Sequence, residues 1–470
     1  MASVSNAVPP GPPVPDDVNG LVPQVWPRSA HRDAVGRIVV GGLDAASLVA
    51  RFGTPLYVVD EAEVRERARR TREAFEGAAR GAGTDVTVYY AGKAFLSGAV
   101  VRWVVEEGLA VDVCTGGELA VALGAGADPA RLGFHGNNKS IAEIDAAVAA
   151  GVGAVVIDSE IEIERVAAAA ARAGRRQRVR LRVNSGVHAS THEFLATAHE
   201  DQKFGVPLDR AAELGARIRS HDSLEFLGLH CHIGSQIFDA AGFAESAERL
   251  LSAHAELSRI APVPELNLGG GFGIAYTAAD SPQAIEAIAQ GIVDAVVAGC
   301  RERGLPLPKL AFEPGRSIVG PAGVTIYTVG TIKSVPIEGG ERRYVSIDGG
   351  MSDNARTALY GAEYSARLAS RISEAAPALS RVVGKHCESG DIVVDAEYLP
   401  ADTAPGDLLA VPATGAYCWS LASNYNHVPR PPVIAVRGGE ARLIVRGETI
   451  DDLLGRDPGL EPSAIEGTPA

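Results

Sequence analysis

A lysine and two glycine-containing motifs have the residue types most suited to chemistry in this chain. Lys93 lies in YYAGKAF, where it is either a strand-end side chain reaching solvent or a Schiff-base nucleophile activated by burial. GGG at 269–271 and EPGR at 313–316 can offer backbone N–H groups and an arginine fork to a phosphate. Each motif alone is often only a turn. A phosphate cradle together with a reactive lysine predicts pyridoxal 5'-phosphate as cofactor.

The elements that would position these residues are strands alternating with helices. Helical stretches such as 61–75 and 211–220 separate the β-like segments, which indicates βαβ units and a parallel sheet. Eight such strands favour an α/β fold of the (β/α)8, TIM-like barrel type over a doubly wound sheet, which usually has fewer strands. The predicted strands are VTVYYA (86–91), LAVDVC (109–114), RLGFHG (131–136), AVVIDS (154–159), VRLRVN (179–184), FLGLHCHIGS (226–235), ELNLGGG (265–271) and KLAFEPGR (309–316).

The candidate residues directly follow these strands. Lys93 follows the first strand, GGG ends the seventh and EPGR ends the eighth. Barrel enzymes build their sites at the carboxyl ends of the strands, often with a phosphate site after the last two. Glu313 would then pair with the pyridine nitrogen of the cofactor. A carboxylate there keeps the ring protonated, which suits a reaction that needs a stabilised carbanion, such as decarboxylation.

His232, in HCHIGSQ after the sixth strand, has three possible roles. Together with His230 it could form a metal pair, because residues two apart on a strand point to the same face. It could also be a packed structural histidine. Since no third ligand accompanies the pair, no metal is expected, and stacking of His232 on the cofactor ring is the favoured interpretation.

The remaining chain divides into three further segments. Residues 1–25 are expected to form a flexible Pro-rich tail, and residues 26–60 to pack on a second domain through a strand and helix within 36–53. Residues 61–320 form the predicted barrel. Residues 321–470 read as β-strands separated by turns, with one helix near 362–376, and predict a second all-β, barrel-like domain.

Composition limits the classes of partner. The 470 residues carry a formal charge of −14 without a dense basic stripe, which argues against nucleic-acid binding. No apolar run is long enough to span a membrane, and the amino terminus lacks the features of a secretory signal. Five cysteines are an odd, sparse number that indicates reduced thiols rather than a disulfide framework. We therefore expect a cytoplasmic protein.

Ordered motifs along nearly the whole chain, from about Val25 to about Arg446, resemble the diaminopimelate decarboxylases. These belong to the alanine-racemase-like, fold-type III group of pyridoxal-phosphate enzymes. The motifs that carry the resemblance are YYAGKAF, DVCTGGEL, HGNNKS, EFLATAHEDQKFG, GLHCHIGSQ, LNLGGGFGI, EPGR, DGGMSDNARTALYGAEY, HCESGD and GAYCWSLASNYN.

The resemblance implies roles for individual residues around the cofactor. Lys93 matches the lysine that forms the Schiff base, His232 the residue stacked on the ring and Glu313 the partner of the pyridine nitrogen. The positions that match contacts to the phosphate and the floor of the site are Ser235, Gly270, Gly271, Gly315, Arg316 and Tyr417.

The resemblance also implies a substrate, meso-2,6-diaminoheptanedioate (meso-diaminopimelate), decarboxylated to L-lysine and CO2 in the last step of bacterial lysine synthesis. Cys387 matches the general acid, which in this family reaches the site from the second subunit of a homodimer. The positions that match substrate contacts are Arg316, Arg356, Tyr360, Glu388 and Tyr417. These types suit the substrate, since arginine binds a carboxylate as a planar fork and glutamate pairs with an ammonium.

Alternatives remain open at this point. A related decarboxylase of ornithine, arginine or carboxynorspermidine would use the same barrel, but its substrate lacks the second amino-acid head that Arg356 and Glu388 would bind. A racemase of the same fold usually has a basic partner at the pyridine nitrogen, where this chain has Glu313. A non-catalytic pyridoxal-phosphate-binding protein would not need a second domain with Cys387 and Tyr417.

Overall fold

The computed structural model describes residues 12–187 and 203–460. They divide into two units. The barrel unit comprises residues 64–274 and 281–319, and the β unit comprises the chain up to 63, residues 275–280 and the chain from 320. Residues 1–11 of the expected tail, most of the EFLATAHEDQKFG motif and residues 461–470 lie outside the described residues.

The amino-terminal part of the β unit contains the strand and helix predicted within 36–53. Asp44 caps that helix by accepting a hydrogen bond from the Ser47 N–H at 3.1 Å. Val18 and Val25 are 5% and 0% exposed, so the expected flexible tail does not extend to residue 25: these apolar side chains are buried within the β unit. The elements are β1 (His31–Arg32), β2 (Ile38–Val40), β3 (Leu43–Asp44), α1 (Ala45–Phe52) and β4 (Leu56–Asp60).

The next segment of the chain builds the barrel unit, after a helix whose first residues still belong to the β unit. Strands and helices alternate as predicted. The elements are α2 (Glu61–Ala82), β5 (Val86–Ala91), α3 (Gly98–Glu106), β6 (Ala110–Val113), α4 (Gly116–Gly124), β7 (Leu132–Phe134), α5 (Ile141–Ala150), β8 (Ala154–Ile157), α6 (Glu160–Arg172), β9 (Gln177–Asn184), β10 (Val206–Pro207), α7 (Ala211–Arg219), β11 (Leu224–His230), α8 (Ala241–Ile260), β12 (Glu265–Asn267), α9 (Ile285–Arg303), β13 (Lys309–Phe312) and α10 (Arg316–Val319).

Eight of these strands close into a ring. The order β5-β6-β7-β8-β9-β11-β12-β13 is parallel throughout, and β13 pairs back with β5 through Leu310 opposite Val86. The (β/α)8 barrel is therefore confirmed. The doubly wound alternative is wrong because in an open sheet β5 and β13 would not pair with each other. The two-residue strand β10 adds to β9 outside the ring. Closure brings the carboxyl ends of all eight strands to one rim.

The carboxyl-terminal part of the β unit is built mainly of strands. The expected helix near 362–376 is wrong: the helix lies earlier, and Arg367 and Leu368 form a strand because they pair with Ala410 and Leu409 and bury Leu368. The elements are β14 (Gly323–Ile337), β15 (Gly340–Ile347), α11 (Arg356–Tyr360), β16 (Arg367–Leu368), β17 (Pro377–Val383), β18 (Ile392–Pro400), β19 (Leu408–Pro412), β20 (Val433–Arg437), β21 (Glu440–Val445) and α12 (Ile450–Leu454).

A branched nine-stranded sheet is the centre of the β unit. Its main path is β18-β17-β15-β14-β4-β20-β21, and β19 joins it at β14 and carries β16. The predicted second, all-β domain is confirmed as a separate sheet domain, and among the described strands its main path does not close into a ring. β4 lies between β14 and β20, which places a strand from the start of the chain inside a sheet formed mostly by its end.

The barrel unit differs from the predicted 61–320 by a few residues at each end and by one internal segment. Residues 275–280, which follow the barrel strand β12, belong to the β unit. Ala275 is part of the same buried cluster as Val25, Val58 and Ile434. In the part of the chain that the structure describes, no helix has both the length and the apolar character needed to cross a membrane.

Candidate active site

Lys93 stands at the rim of a cavity at the carboxyl ends of the barrel strands. The cavity has a volume of about 300 Å³, and its lining includes Lys93, His232 and Glu313. Lys93 lies on a single helical turn that directly follows β5, and the Tyr90 hydroxyl holds this turn by donating to the Phe95 carbonyl at 2.5 Å. The side chain is exposed, as in the first of the two interpretations that the sequence analysis leaves open, because the turn carries it beyond the strand end.

The loop after β13 packs against the lysine turn. The Ala91 N–H donates to the Pro314 carbonyl at 2.9 Å, which joins the end of β5 to the EPGR motif. A Cβ atom on Gly315 would lie 3.0 Å from both Ala91 Cβ and the Ala91 carbonyl, so only glycine allows this approach without displacement. Lys93 and Glu313 are thereby brought to one cavity although they are far apart in the sequence.

Glu313 is buried at the centre of a cluster of polar side chains. Its Oε1 accepts a hydrogen bond from Asn267 Nδ2 at 2.7 Å. His230 Nε2 lies 3.1 Å from Oε1 and 3.2 Å from Oε2, and His135 Nε2 lies 3.5 Å from Oε1. Burial alone would raise the pKa of Glu313, but His230, His135 and His232 lower it well below its usual range. The carboxylate is thus ionised and can accept a hydrogen bond from a protonated ring nitrogen.

Two histidines and one aspartate complete this cluster. Burial lowers the pKa of both His135 and His230 to about 4, so that both rings are neutral near pH 7. Burial and the Glu313 charge raise the pKa of Asp112 well above its usual range. The pKa values of the two acids, Glu313 and Asp112, are therefore shifted in opposite directions, which is the usual outcome for two acids that share a buried site.

The ligand-forming atoms of His135, His230 and Glu313 lie within 4.8 Å of one another. The sequence analysis pairs His230 with His232 for a metal instead, and the structure places His230 with His135. Because Glu313 already accepts a hydrogen bond from Asn267, we interpret this group as the hydrogen-bonding environment of the carboxylate.

His232 borders the cavity as a neutral ring. Burial lowers its pKa well below the usual value, and the nearby cations Lys93 and Arg182 lower it further. Its Nδ1 accepts a hydrogen bond from the Gly270 N–H at 3.4 Å, which places the ring proton on Nε2. A neutral imidazole held at the wall of the cavity is suited to stacking on an aromatic cofactor.

The glycine motif, Ser235 and Arg316 lie close to one another on the loops after β11, β12 and β13. A Cβ atom on Gly270 would lie 2.0 Å from the Glu313 carbonyl oxygen, and one on Gly271, whose φ is +120°, would lie 2.4 Å from that of Gly234. Arg316 Nη2 donates to Ser235 Oγ at 2.8 Å. This cradle of glycines with a guanidinium and a hydroxyl fits a phosphate group, while Glu313 and Lys93 fit the ring nitrogen and the aldehyde of pyridoxal phosphate.

Arg356 in the β unit is a buried cation without a carboxylate partner in the part of the chain that the structure describes. It is 5% exposed, and among the described residues of the β unit its guanidinium contacts the Tyr364 hydroxyl at 2.6 Å and lies over the Tyr276 ring at 4.6 Å, forming no ion pair. Burial raises the pKa of Tyr364 well above its usual value, so this hydroxyl is neutral. An unpaired buried guanidinium is costly, which makes Arg356 a candidate for an anionic ligand.

Cys387 and Glu388 lie side by side on an exposed loop of the β unit. The preceding residue anchors this loop, because the His386 N–H donates to Asp391 Oδ2 at 2.8 Å and its Nε2 lies 2.8 Å from Ser352 Oγ. The Cys387 N–H donates to Asn426 Oδ1 at 3.3 Å. These hydrogen bonds hold the backbone of the loop in place, and the loop exposes a thiol and a carboxylate.

Tyr360 and Tyr417 are placed differently. Tyr360 is the last residue of α11 and is 66% exposed. Tyr417 is half-buried and has a φ of +64°, a left-handed conformation that is unfavourable for an aromatic residue. Such strain persists only where the surroundings impose it, and it is frequent at functional sites.

Sequence reasoning names most of these residues but gives no role to three members of the cluster, Asp112, His135 and Asn267. Asp112 and His135 follow predicted strands, yet their contact depends on the neighbouring strands of the closed barrel. Asn267 lies inside ELNLGGG, where a polar residue within an otherwise buried strand is the signal that could have identified it.

Fold and site together define a pyridoxal-dependent enzyme of the barrel type, and residues 61–320 match the family described as pyridoxal-dependent decarboxylase, pyridoxal binding domain. The cofactor is pyridoxal phosphate. Diaminopimelate decarboxylase of Mycobacterium tuberculosis H37Rv is 51% identical over 443 residues, covering 92% of this chain and 98% of that protein. The Bacillus subtilis enzyme of the same name is 44% identical, covering 91% and 97%.

A solved structure agrees with these relatives. The diaminopimelate decarboxylase from M. jannaschii in co-complex with L-lysine superposes with a TM-score of 0.85 at 30% identity, covering 93% of this chain and 99% of that one. The chain belongs to the diaminopimelate decarboxylase family.

Proposed function

We propose that this protein decarboxylates meso-diaminopimelate to L-lysine and CO2, the last step of bacterial lysine synthesis. The observation that carries this most directly is a buried Arg356 that forms no ion pair with the described residues, in a chain that is 51% identical to a diaminopimelate decarboxylase. A substrate with a carboxylate at each end supplies the anion that this guanidinium lacks. Such a substrate also distinguishes the reaction from decarboxylation of ornithine or arginine.

The barrel residues bind and orient the cofactor in this proposal. Lys93 holds it, Glu313 accepts the hydrogen bond of its ring nitrogen and His232 covers one ring face. Gly270, Gly271, Gly315, Arg316 and Ser235 hold its phosphate, together with Tyr417. When bound, pyridoxal phosphate withdraws electrons from the substrate α-carbon, which allows the bond to the carboxylate to break. The ionised state of Glu313 supports this arrangement.

The β-unit residues select the substrate and supply the proton. Arg356, with Arg316, Tyr360 and Tyr417, binds carboxylate groups, and Glu388 pairs with the distal ammonium. As CO2 leaves, the electrons of the broken bond remain on the α-carbon, and the Cys387 thiol transfers its proton to that carbon. Water then returns a proton to the thiolate.

We further propose a homodimer in which Cys387 of one subunit serves the partner's site. Leu359 and Tyr360 on α11 are 60% and 66% exposed, an apolar pair that a subunit interface would cover. Sedimentation of the purified chain checks this: a dimer at micromolar concentration is expected, and a monomer with full activity contradicts the shared site.

We also propose that the enzyme acts in the cytoplasm. All five cysteines are free thiols, and the exposed Cys387 needs a reduced state to donate a proton. Retention of activity in reducing buffer and loss on oxidation of Cys387 would support this assignment, whereas full activity with an oxidised Cys387 would argue against it.

The function is tested by CO2 release from the purified chain with added pyridoxal phosphate. We expect release from meso-diaminopimelate, with L-lysine identified by chiral chromatography, and no comparable release from ornithine, arginine or lysine. Release from one of these instead would retain the barrel chemistry and overturn the role of Arg356. Bound cofactor without release from any of them would favour a non-catalytic binding protein.

Replacing Arg356 with alanine should raise the KM for meso-diaminopimelate about 10- to 100-fold with a smaller change in kcat, because a charge-assisted contact to the substrate is lost. Steady-state kinetics of CO2 release measure this. Arg381→Ala is the matched control, since Arg381 pairs with Asp395 at 2.6 Å in the same unit. An Arg356→Ala enzyme with the wild-type KM would remove Arg356 from the substrate site.

A further inference from the structure

Asn267 connects the ring-nitrogen partner to the glycine motif. It is the last residue of β12 and is fully buried. Its Nδ2 donates to Glu313 Oε1 at 2.7 Å, and its Oδ1 accepts the Gly269 N–H at 2.9 Å. One short side chain thus contacts both the carboxylate proposed to meet the cofactor ring and the loop proposed to hold the cofactor phosphate.

Chemistry determines the orientation of this amide. With Nδ2 toward Glu313 and Oδ1 toward the Gly269 N–H, both contacts pair a donor with an acceptor. If the amide were flipped, an oxygen would face the carboxylate and an NH2 would face an N–H group. Both contacts would then be repulsive in a buried site, so only one orientation is compatible with the surroundings.

Asn267 makes the shortest polar contact to Glu313. The other titratable groups that face this carboxylate come from four other strands and their loops. They are His230 at the end of β11, His135 after β7 and, further out, Asp112 on β6, His232 and Lys93. Both His230 and His135 are neutral rings at longer distance. The Asn267 amide is therefore the closest donor to the carboxylate, and together with the Nε2–H of His230 it fixes the direction in which the carboxylate points.

We propose that Asn267 is a positioning residue that holds the Glu313 carboxylate at a fixed distance from the glycine motif. The ring nitrogen and the phosphate of pyridoxal phosphate are then bound by groups whose separation is fixed. This inference rests on the proposed role of Glu313. Asn267 has no contact with the cofactor in this account and acts through Glu313 and Gly269.

The test is a titration of the cofactor-free, full-length chain with pyridoxal phosphate, followed by visible absorbance across a range of pH. Asn267→Ala removes both contacts and should weaken binding about 10-fold or more, the scale of a lost hydrogen bond to a charged group. Asn267→Asp keeps the acceptor for Gly269 and the side-chain shape. The carboxyl of the new aspartate can donate a hydrogen bond to Glu313 only when it is protonated. When it is ionised, its negative charge repels the Glu313 carboxylate.

The aspartate variant has a signature that a merely structural residue would lack. Its affinity for pyridoxal phosphate, divided by that of the wild type at each pH, should be near one at acid pH and should fall as the pH rises. Equal affinity of Asn267→Ala and wild type, or a loss in Asn267→Asp that is independent of pH, would overturn the inference.

Two further variants distinguish a failure of this inference from a failure of the proposed role of Glu313. Gln177→Ala removes another buried amide, at the start of β9, and should change cofactor affinity less than twofold while thermal unfolding reports its effect on stability. Glu313→Gln tests the partner itself. If Glu313→Gln leaves cofactor binding and absorbance unchanged, the role of Glu313 fails; if it alters them while both Asn267 variants do not, only the inference about Asn267 fails.

Discussion

Replacing Lys93 with alanine should leave the purified chain without the visible absorbance of bound pyridoxal phosphate and without detectable CO2 release from meso-diaminopimelate. A covalent bond from the lysine nitrogen contributes much of the binding of the cofactor, and the reaction of the cofactor with substrate begins at that bond. Lys93 lies at the rim of the cavity that Glu313 and His232 also line. Absorbance spectra and the CO2 assay, both with excess cofactor, measure the two losses.

Lys309→Ala provides the matched control for this experiment. Lys309 is an exposed lysine of the same unit at the start of β13, the opposite end of the strand from Glu313. We expect its absorbance and turnover to equal those of the wild type. Normal turnover of Lys93→Ala would remove Lys93 from the cofactor site and leave the function of the cavity open to a different chemistry.

Replacing Cys387 with alanine should leave the cofactor bound but lower the rate of lysine formation roughly 10²-fold or more, the usual scale for the loss of a general acid. The thiol is exposed on a loop whose backbone is anchored by His386 and Asp391, so the substitution should not disturb the fold. Rates of L-lysine formation and the cofactor spectrum measure the two effects separately. Cys300→Ala, at a cysteine buried in α9, should retain the wild-type rate after correction for any loss of stability.

Mixing the two inactive variants tests whether each site contains residues from both subunits. In a Lys93→Ala/Cys387→Ala heterodimer, one site would carry both substitutions and the other would carry neither. Random exchange of subunits should then restore roughly a quarter of the wild-type sites, as the two-fold symmetry of a dimer requires. No recovery despite verified exchange would place Lys93 and Cys387 of the same chain in one site. An unchanged rate of Cys387→Ala alone would mean that another group donates the proton.

Much of the barrel could be predicted from the sequence because its signals are local. Each of the eight strands is a short apolar run between helical stretches. Parallel strands that are buried on both faces need such apolar runs, so the pattern can be read from the sequence alone. The same holds for the position of Lys93 after β5 and of GGG and EPGR after β12 and β13. The family motifs assign roles to these residues, and such assignments do not depend on geometry.

The predictions that were wrong involve long-range pairing or packing. The segment near 362–376 contains residues that could form a helix, but Arg367 and Leu368 pair with β19 about forty residues later. Residues 1–25 are expected to form a flexible Pro-rich tail, yet Val18 and Val25 are buried. In both cases packing or pairing with a distant part of the chain outweighs the composition of the segment.

The sequence by itself determined the order of the elements, the chemistry of the residues at the strand ends and the family to which they point. Only the tertiary structure decided which of those residues meet. Pairing of β13 with β5 closes the barrel and brings Glu313 toward Lys93, and the same closure surrounds Glu313 with Asn267, His230 and His135. The neutral state of the histidines follows from that burial, and the ionised state of Glu313 follows from the histidines around it, since a pKa depends on neighbours in space rather than in sequence.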